Sequence, residues 1–375
     1  MSKRISTLVI LLGILVTIQS ACSLPFITSS SEPENDPSPN VLPTQEPSDT
    51  GVLEIETVTV IDIETESIPI PPIYVTVAGH IEDVPVYANC DAYPDFREKL
   101  LLFSETISKT GVAFNLQIEY EFFLGVSRCE TDAMKASTDG LNIIDYLAIH
   151  YGFEIDPHQE GGTEEGADNY ADIRYLGGTL TSNISENVGG LVWNNPPQFK
   201  ALSRGEAGWI YPDYTWHPEV LTLAVSRDHH QGDFSKDDIA SGIWIPKGPN
   251  KNFWVHDSGG QMVYIGPGEH EDWGRDSEFL STPEFVQALS DQLAQGTLDR
   301  NKIYTVTLPV PQRIIFNADQ HEKLLALLDQ LAPLIQSGQA RYVTYSQAVE
   351  IWRTEYGAEP NIFFREGIEP PYEKR

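Results

Sequence analysis

The strongest constraint on this chain is an alternation of β-type and α-type hydrophobic periods that begins at Ile73. Residues 73–79 are apolar and β-branched, the texture of a buried strand. Residues 94–110 place Phe96, Leu100, Phe103 and Ile107 at helical spacing, opened by Pro94 and closed before Gly111. A second strand is predicted at 112–118, a helix at 141–151 and a short strand at 152–156. The same grammar returns near the end: strand 302–308, helix 318–337, strand 341–344, helix 345–357. Strands that alternate with helices pair in parallel through right-handed crossovers, which sets the fold class as α/β. Between these blocks, about 180–275 is rich in Gly, Trp, Tyr, Pro and Asn and carries six of the seven tryptophans. Helical period is scarce there, and the region reads as an insertion of loops and short strands in one large domain.

The first residues set the compartment. Lys3 and Arg4 precede an apolar run from Leu8 to Ile18, too short for a comfortable membrane span, and Ser20 and Ala21 lead into Cys22. Residues 1–21 are therefore expected to be an export signal, with Cys22 as a lipid anchor of the bacterial lipoprotein kind. Gln19 stands where such signals carry an aliphatic residue. Residues 22–50 are polar, acidic and Pro-rich and cannot bury enough surface to offset their ordering entropy, so a disordered tether is expected. Residues 51–72 read as an extended segment, and 73–365 as the folded domain. The expected location is the outer face of the cell membrane, or secretion.

A formal charge of -31 argues against nucleic acid as a partner and leaves the lipid as the only route to a membrane. Two cysteines remain beyond Cys22. Cys90 and Cys129 each follow a predicted strand by a few residues, and consecutive parallel strands bring their carboxyl ends together. A disulfide between them is expected in an oxidising compartment.

Ligands bind at the carboxyl ends of parallel strands. His80, Glu82 and Asp83 lie at or just beyond the first strand's end, and His158 and Glu160 just beyond the third's. A two-residue spacing points both side chains to one face of an extended segment. Imidazoles and carboxylates converging from two strand ends suit a divalent metal; alternatively each His caps a strand or bonds a loop carbonyl.

The run Gly152-Phe153-Glu154-Ile155-Asp156-Pro157-His158 resembles the Gly-His-Glu-Ile-Gly-Asn-His segment of the polysaccharide deacetylase family. The helix ending in Thr110-Gly111, with the strand after it, resembles the same family, as does the closing run from Gly338 to Ser346. The resemblance covers about 73–160 and 300–357. It implies a distorted (β/α) barrel of about seven strands and a divalent metal, zinc first, drawn from His80, Glu82, His158 and Glu160. Metal-assisted hydrolysis at such a site would use Glu82 or Asp83 as the base, and His217 is a candidate acid to protonate a leaving amine. Two departures stand out: Gly162 replaces the motif's second His, and the strand before Pro309 ends without a His.

The resemblance also implies a carbohydrate substrate. Trp193 and Trp216 are the preferred sugar contacts, although large aromatics also hold an irregular insertion together. Of the remaining histidines, His150 reads as structural, His256 and His270 as surface loop residues and His321 as solvated. His229 and His230 are adjacent, so one ligand at most is expected from the pair. No P-loop, dinucleotide fingerprint or nucleophile elbow is present.

Three functions remain. The first is a metal-dependent hydrolase acting on a carbohydrate or cell-envelope polysaccharide. The second is a non-catalytic carbohydrate-binding lipoprotein on a degenerate barrel. The third is a barrel glycosidase using Glu119 and Glu121.

Overall fold

The computed structural model describes residues 69–82, 84–158, 167–168, 171, 187–188, 196–213, 215–223, 239–271, 273 and 279–368. The expected signal, tether and Cys22 anchor, and most of the extended segment, lie outside them. Thr65–Arg375 form one compact unit. In chain order the first block holds β1 (Ile73–Ile81), α1 (Tyr93–Ser108), β2 (Phe114–Ile118), α2 (Tyr120–Cys129), α3 (Asp132–Lys135), α4 (Ile143–His150) and β3 (Glu154–Pro157). The middle supplies β4 (Asn187–Val188), α5 (Pro196–Arg204), β5 (Glu206–Ala207), β6 (Thr215–Trp216), β7 (Val220–Thr222), β8 (Ser241–Trp244) and β9 (Val263–Pro267). The last block holds α6 (Thr282–Gln295), β10 (Thr305–Val310), α7 (Gln312–Ile315), α8 (Ala318–Gln336), β11 (Ala340–Tyr342) and α9 (Tyr345–Thr354).

A five-stranded sheet runs β10-β1-β2-β3, with β11 also pairing β1, and every ladder in it is parallel. Its two faces differ in chemistry. Val75, Val77 and Ile81 on β1, Leu116 and Ile118 on β2, and Leu308 and Val310 on β10 form the outer face. Leu100, Phe103 and Ile107 of α1, with Leu324, Leu328 and Leu331 of α8, pack into the same core. Each such fully buried side chain contributes roughly 1.5–3 kcal/mol of transfer free energy. Gly79 lets β2 come close, since a Cβ there would stand 2.6 Å from the Phe114 ring.

The inner face is polar. Thr76, Asn115, Gln117, Glu154, Asp156, Thr305 and Thr307 are all buried. At its lower end these groups are satisfied. Asn115 Oδ1 accepts from Tyr345 N and Glu154 from Ser346 N, so both cap α9. Thr76 and Thr307 hydroxyls bond each other at 2.8 Å.

A second sheet, order β4-β7-β9-β8, faces this one. Val220, Val263 and Ile265 from it share a core with Tyr74, Ala78 and Tyr345. The middle of the chain thus supplies one wall of the interior.

Among the described residues the barrel of about seven strands implied by the resemblance is not closed. The largest sheet has five strands, and among the described residues no ladder joins the two sheets. Where β10 meets the second sheet, side-chain bonds replace a ladder. Thr305 Oγ1 donates to Gly266 O at 2.6 Å and accepts from Gly242 N at 2.8 Å.

Candidate metal centre

Strand register assembles the site. Across β1, β2 and β3, His80 pairs with Gln117 and Gln117 with Asp156. One step further, Glu119 N donates to Ile81 O and His158 N to Ile118 O, so Glu82, Glu119 and His158 form the next inward row. Two rows of three polar side chains therefore stand at the carboxyl ends of three adjacent strands.

Of the residues expected from the sequence, three come together. One ligand atom each of His80, Glu82 and His158 lies within 4.8 Å of the others. His80 Nδ1 is 3.8 Å from Glu82 Oε1, and the two side chains are 16% and 32% exposed. His158 is 1% exposed, and its Nε2 lies 4.0 Å from Glu119 Oε1. The His80 and His158 rings approach to 4.4 Å between centroids, tilted by 32°.

Two imidazoles and one carboxylate are a donor set that divalent zinc or a similar ion accepts. Bonds of about 2.1 Å space tetrahedral ligands at roughly 3.4 Å. His80 Nδ1 and Glu82 Oε1, at 3.8 Å, stand near that spacing already. The residues fit the group.

The other expected residues fall elsewhere. Asp83, Glu160 and Trp193 lie outside the described residues, as do His229 and His230. His217 is exposed, and its ring lies over Gly205, where a Cβ would meet it at 2.3 Å. It is not a member of the cluster. Trp216 is 1% exposed and packs with Trp244, Phe253 and Tyr264, so its ring offers no face to a sugar. Glu119 has a histidine beside it, its Oε1 4.0 Å from His158 Nε2, a neighbour the glycosidase reading does not call for. His321, expected in solvent, is buried against Phe103. Its position near the start of α8 turns it inward. His256 is half-buried, and its Nδ1 accepts from Ile245 N at 3.1 Å.

Gln117 and Asp156 are site residues that spacing alone does not single out, because their membership depends on register between strands. The usable signal is the run Asn115-Leu116-Gln117-Ile118-Glu119, which alternates polar and apolar in a strand buried on both faces. Below them Tyr345 closes the interior. Burial pushes its hydroxyl up to about 12, the Thr222, Thr307 and Thr76 hydroxyls pull the other way, and the Asp156 charge raises it further.

Cys90 and Cys129 form a disulfide with Cα atoms 4.9 Å apart, as expected from their places after β1 and β2. Among the described residues no helix is long and apolar enough to cross a membrane.

No protein-family model matches the sequence, and no curated protein matches it. Solved structures that match include a "putative polysaccharide deacetylase" from Mycobacterium smegmatis, 11% identical, with a TM-score of 0.41 over 79% of this chain and 95% of that one. Puue allantoinase is 12% identical, with a TM-score of 0.42 over 76% of this chain and 91% of its own. The 4-alpha-glucanotransferase from Thermococcus litoralis is 12% identical, with a TM-score of 0.37 over 75% of this chain. The match covers 40% of that longer protein. At such identities and scores these likenesses carry no chemistry to this chain.

Proposed function

We propose that this protein is a metal-dependent hydrolase of the deacetylase-like type, acting on a carbohydrate or cell-envelope polysaccharide. The observation that carries it is the convergence of His80, Glu82 and His158 at the carboxyl ends of β1 and β3. A divalent cation held there, zinc first by its donor set, would supply Lewis-acid polarisation of a carbonyl and activation of water. The chain's own groups do the rest. His80 and Glu82 reach the site from one strand end, and His158 is fixed by burial on another. Glu119, beside His158, is the described carboxylate placed to take a proton. Asp156 lies one row below. His217, expected as the acid for the leaving group, is exposed and is not a member of the cluster.

The same reading takes the fold as a distorted barrel of seven strands. It is supported by the proximity of β3 to β4 and of β10 to β9, which brings β1, β2, β3, β4, β7, β9 and β10 round one interior. It also places the chain outside the cytoplasm, with residues 1–21 removed and Cys22 acylated. The Cys90–Cys129 bridge supports export, because such bonds persist in oxidising compartments. The carbohydrate substrate rests on the sequence resemblance alone.

The test is metal content of the purified protein beside a His158→Ala variant. Stoichiometric divalent metal in the wild type that disappears in the variant is the expected result. A wild type that stays metal-free after reconstitution sinks the hydrolase reading.

A further inference from the structure

Trp209 is the most exposed large apolar side chain among the described residues, at 72%, and Ile210 beside it is 45% exposed. A lone exposed apolar residue is ordinary and needs no reason. The backbone beneath this one does. Trp209 and Ile210 lie in the loop between β5 and β6, which form a two-stranded sheet of their own. Trp216 moors that hairpin, buried in one core with Trp244, Phe253 and Tyr264.

The loop itself is held by Asp168, whose side chain is buried with the residue only 3% exposed. Its Oδ2 accepts from Trp209 N at 2.9 Å, and its Oδ1 accepts from Tyr211 N at 3.1 Å. Ile210 N donates to the same carboxylate at 3.1 Å. Three successive N–H groups thus converge on one buried acid. Gly208 permits the approach, since a Cβ there would stand 1.9 Å from Asp168 Oδ1. Burying a carboxylate is costly, and here the burial fixes a turn whose side chains stand in solvent. A displayed contact benefits from that rigidity, because a turn ordered in advance loses little entropy when a ligand arrives.

Size and charge select the occupant. Two exposed apolar side chains fall far short of the roughly 800 Å² that each partner buries in a stable protein interface. An anionic bilayer is opposed by the formal charge of -31, with Asp213 exposed in the same loop and Glu219 just past β6. The loop N–H groups that could take a phosphate are already held by Asp168. A neutral pyranose meets these terms. Its apolar C–H face lies flat on an indole, and its hydroxyls donate to carboxylates without bringing charge.

We propose that Trp209 is a stacking platform for the ring face of a neutral glycan, at a site that uses none of His80, Glu82 or His158. The platform needs no metal and stands whether or not that cluster is catalytic. It gives the protein a hold on a polymer that metal chemistry does not supply.

The test uses the purified protein and two neutral tetrasaccharides, cellotetraose and tetra-N-acetylchitotetraose, with and without EDTA. The readout is saturation transfer from protein to sugar ring protons, with affinity from calorimetry and thermal unfolding beside it. Wild type is compared with Trp209→Ala and with Trp209→Tyr, which keeps an aromatic face. The expected result is transfer to at least one sugar that persists in EDTA. Affinity falls about tenfold in Trp209→Ala and is largely restored in Trp209→Tyr. The unfolding temperature of Trp209→Ala matches wild type, because the side chain is exposed. Binding that survives Trp209→Ala but is lost in EDTA puts the glycan at the metal centre, which overturns the inference and leaves the metal reading intact. A wild type that binds neither sugar also overturns it. Sedimentation with phosphatidylcholine vesicles, or self-association, that disappears in Trp209→Ala would then name a bilayer or a second copy as the occupant. A lower unfolding temperature in Trp209→Ala, with no recovery of binding in Trp209→Tyr, assigns the indole to packing and overturns it as well.

Discussion

Glu130 shows how a single side chain can hold several elements at once. Its carboxylate is buried, and Oε1 accepts from Arg97 Nε at 2.9 Å, from Tyr93 Oη at 3.0 Å and from Ile143 N at 3.2 Å. Arg97 continues the network to Ser137 and Thr138. One acid thus ties α1, the end of α2 and the start of α4 together. Glu130→Ala leaves Arg97 buried without its carboxylate, and a loss of about 3–5 kcal/mol in urea denaturation is expected. At the same scale, His80, Glu82 and His158 are legible from the sequence alone, because a two-residue spacing at a strand end is a local property. Gln117, Asp156 and the position of Glu119 beside His158 are not, since they depend on which residues face one another across strands. The burial of Trp216 is equally out of reach, as an indole in a Trp-rich region looks the same whether it is core or contact.

Among elements, α2 carries the burden of placing the disulfide. Gly125 within it sits so close to the 3₁₀ helix Pro85–Ala88 that a Cβ would stand 2.3 Å from the Tyr87 carbonyl. Gly125→Ala is expected to push α2 outward and cost about 1–3 kcal/mol, read by chemical denaturation. The Cys90–Cys129 bridge then closes a 39-residue separation. By chain entropy such a loop contributes roughly 2–4 kcal/mol, and Cys90→Ser with Cys129→Ser should lose that much while keeping the fold. α1 is legible in the sequence because its apolar stripe and its Pro94 and Gly111 boundaries agree. α2 and α6 are not among the expected helices, though both carry signals. Phe122, Phe123, Val126 and Cys129 have helical spacing, and Ser281 with Glu284 forms a capping box at the start of α6. α2 follows β2 with only Glu119 between them, and the apolar run blurs the change of period.

For the whole molecule, the buried tyrosines predict an alkaline limb to the stability curve. Burial raises Tyr304, Tyr342 and Tyr345 to about 12 from an ordinary value of 10.0, with acid neighbours adding to the rise. The unfolded chain loses these protons first, so the folded state binds more protons between those values. Stability from these groups is complete below about pH 10 and falls as pH rises to about 12. The unfolding temperature measured from pH 8 to 12 should therefore drop over the upper half of that range, and less steeply in Tyr345→Phe. The α/β class and the strands and helices at each end follow from periodicity, a property of neighbours along the chain; the disulfide follows from the two remaining cysteines and an oxidising compartment, and the candidate ligands from their places just after strands. The arrangement of the described strands in two main sheets does not. Nor does the role of the middle region as its second wall, or the polar layering from Tyr345 up to Glu119. Those follow from strand register and from which faces meet across the core, contacts between residues far apart in sequence that no local pattern encodes.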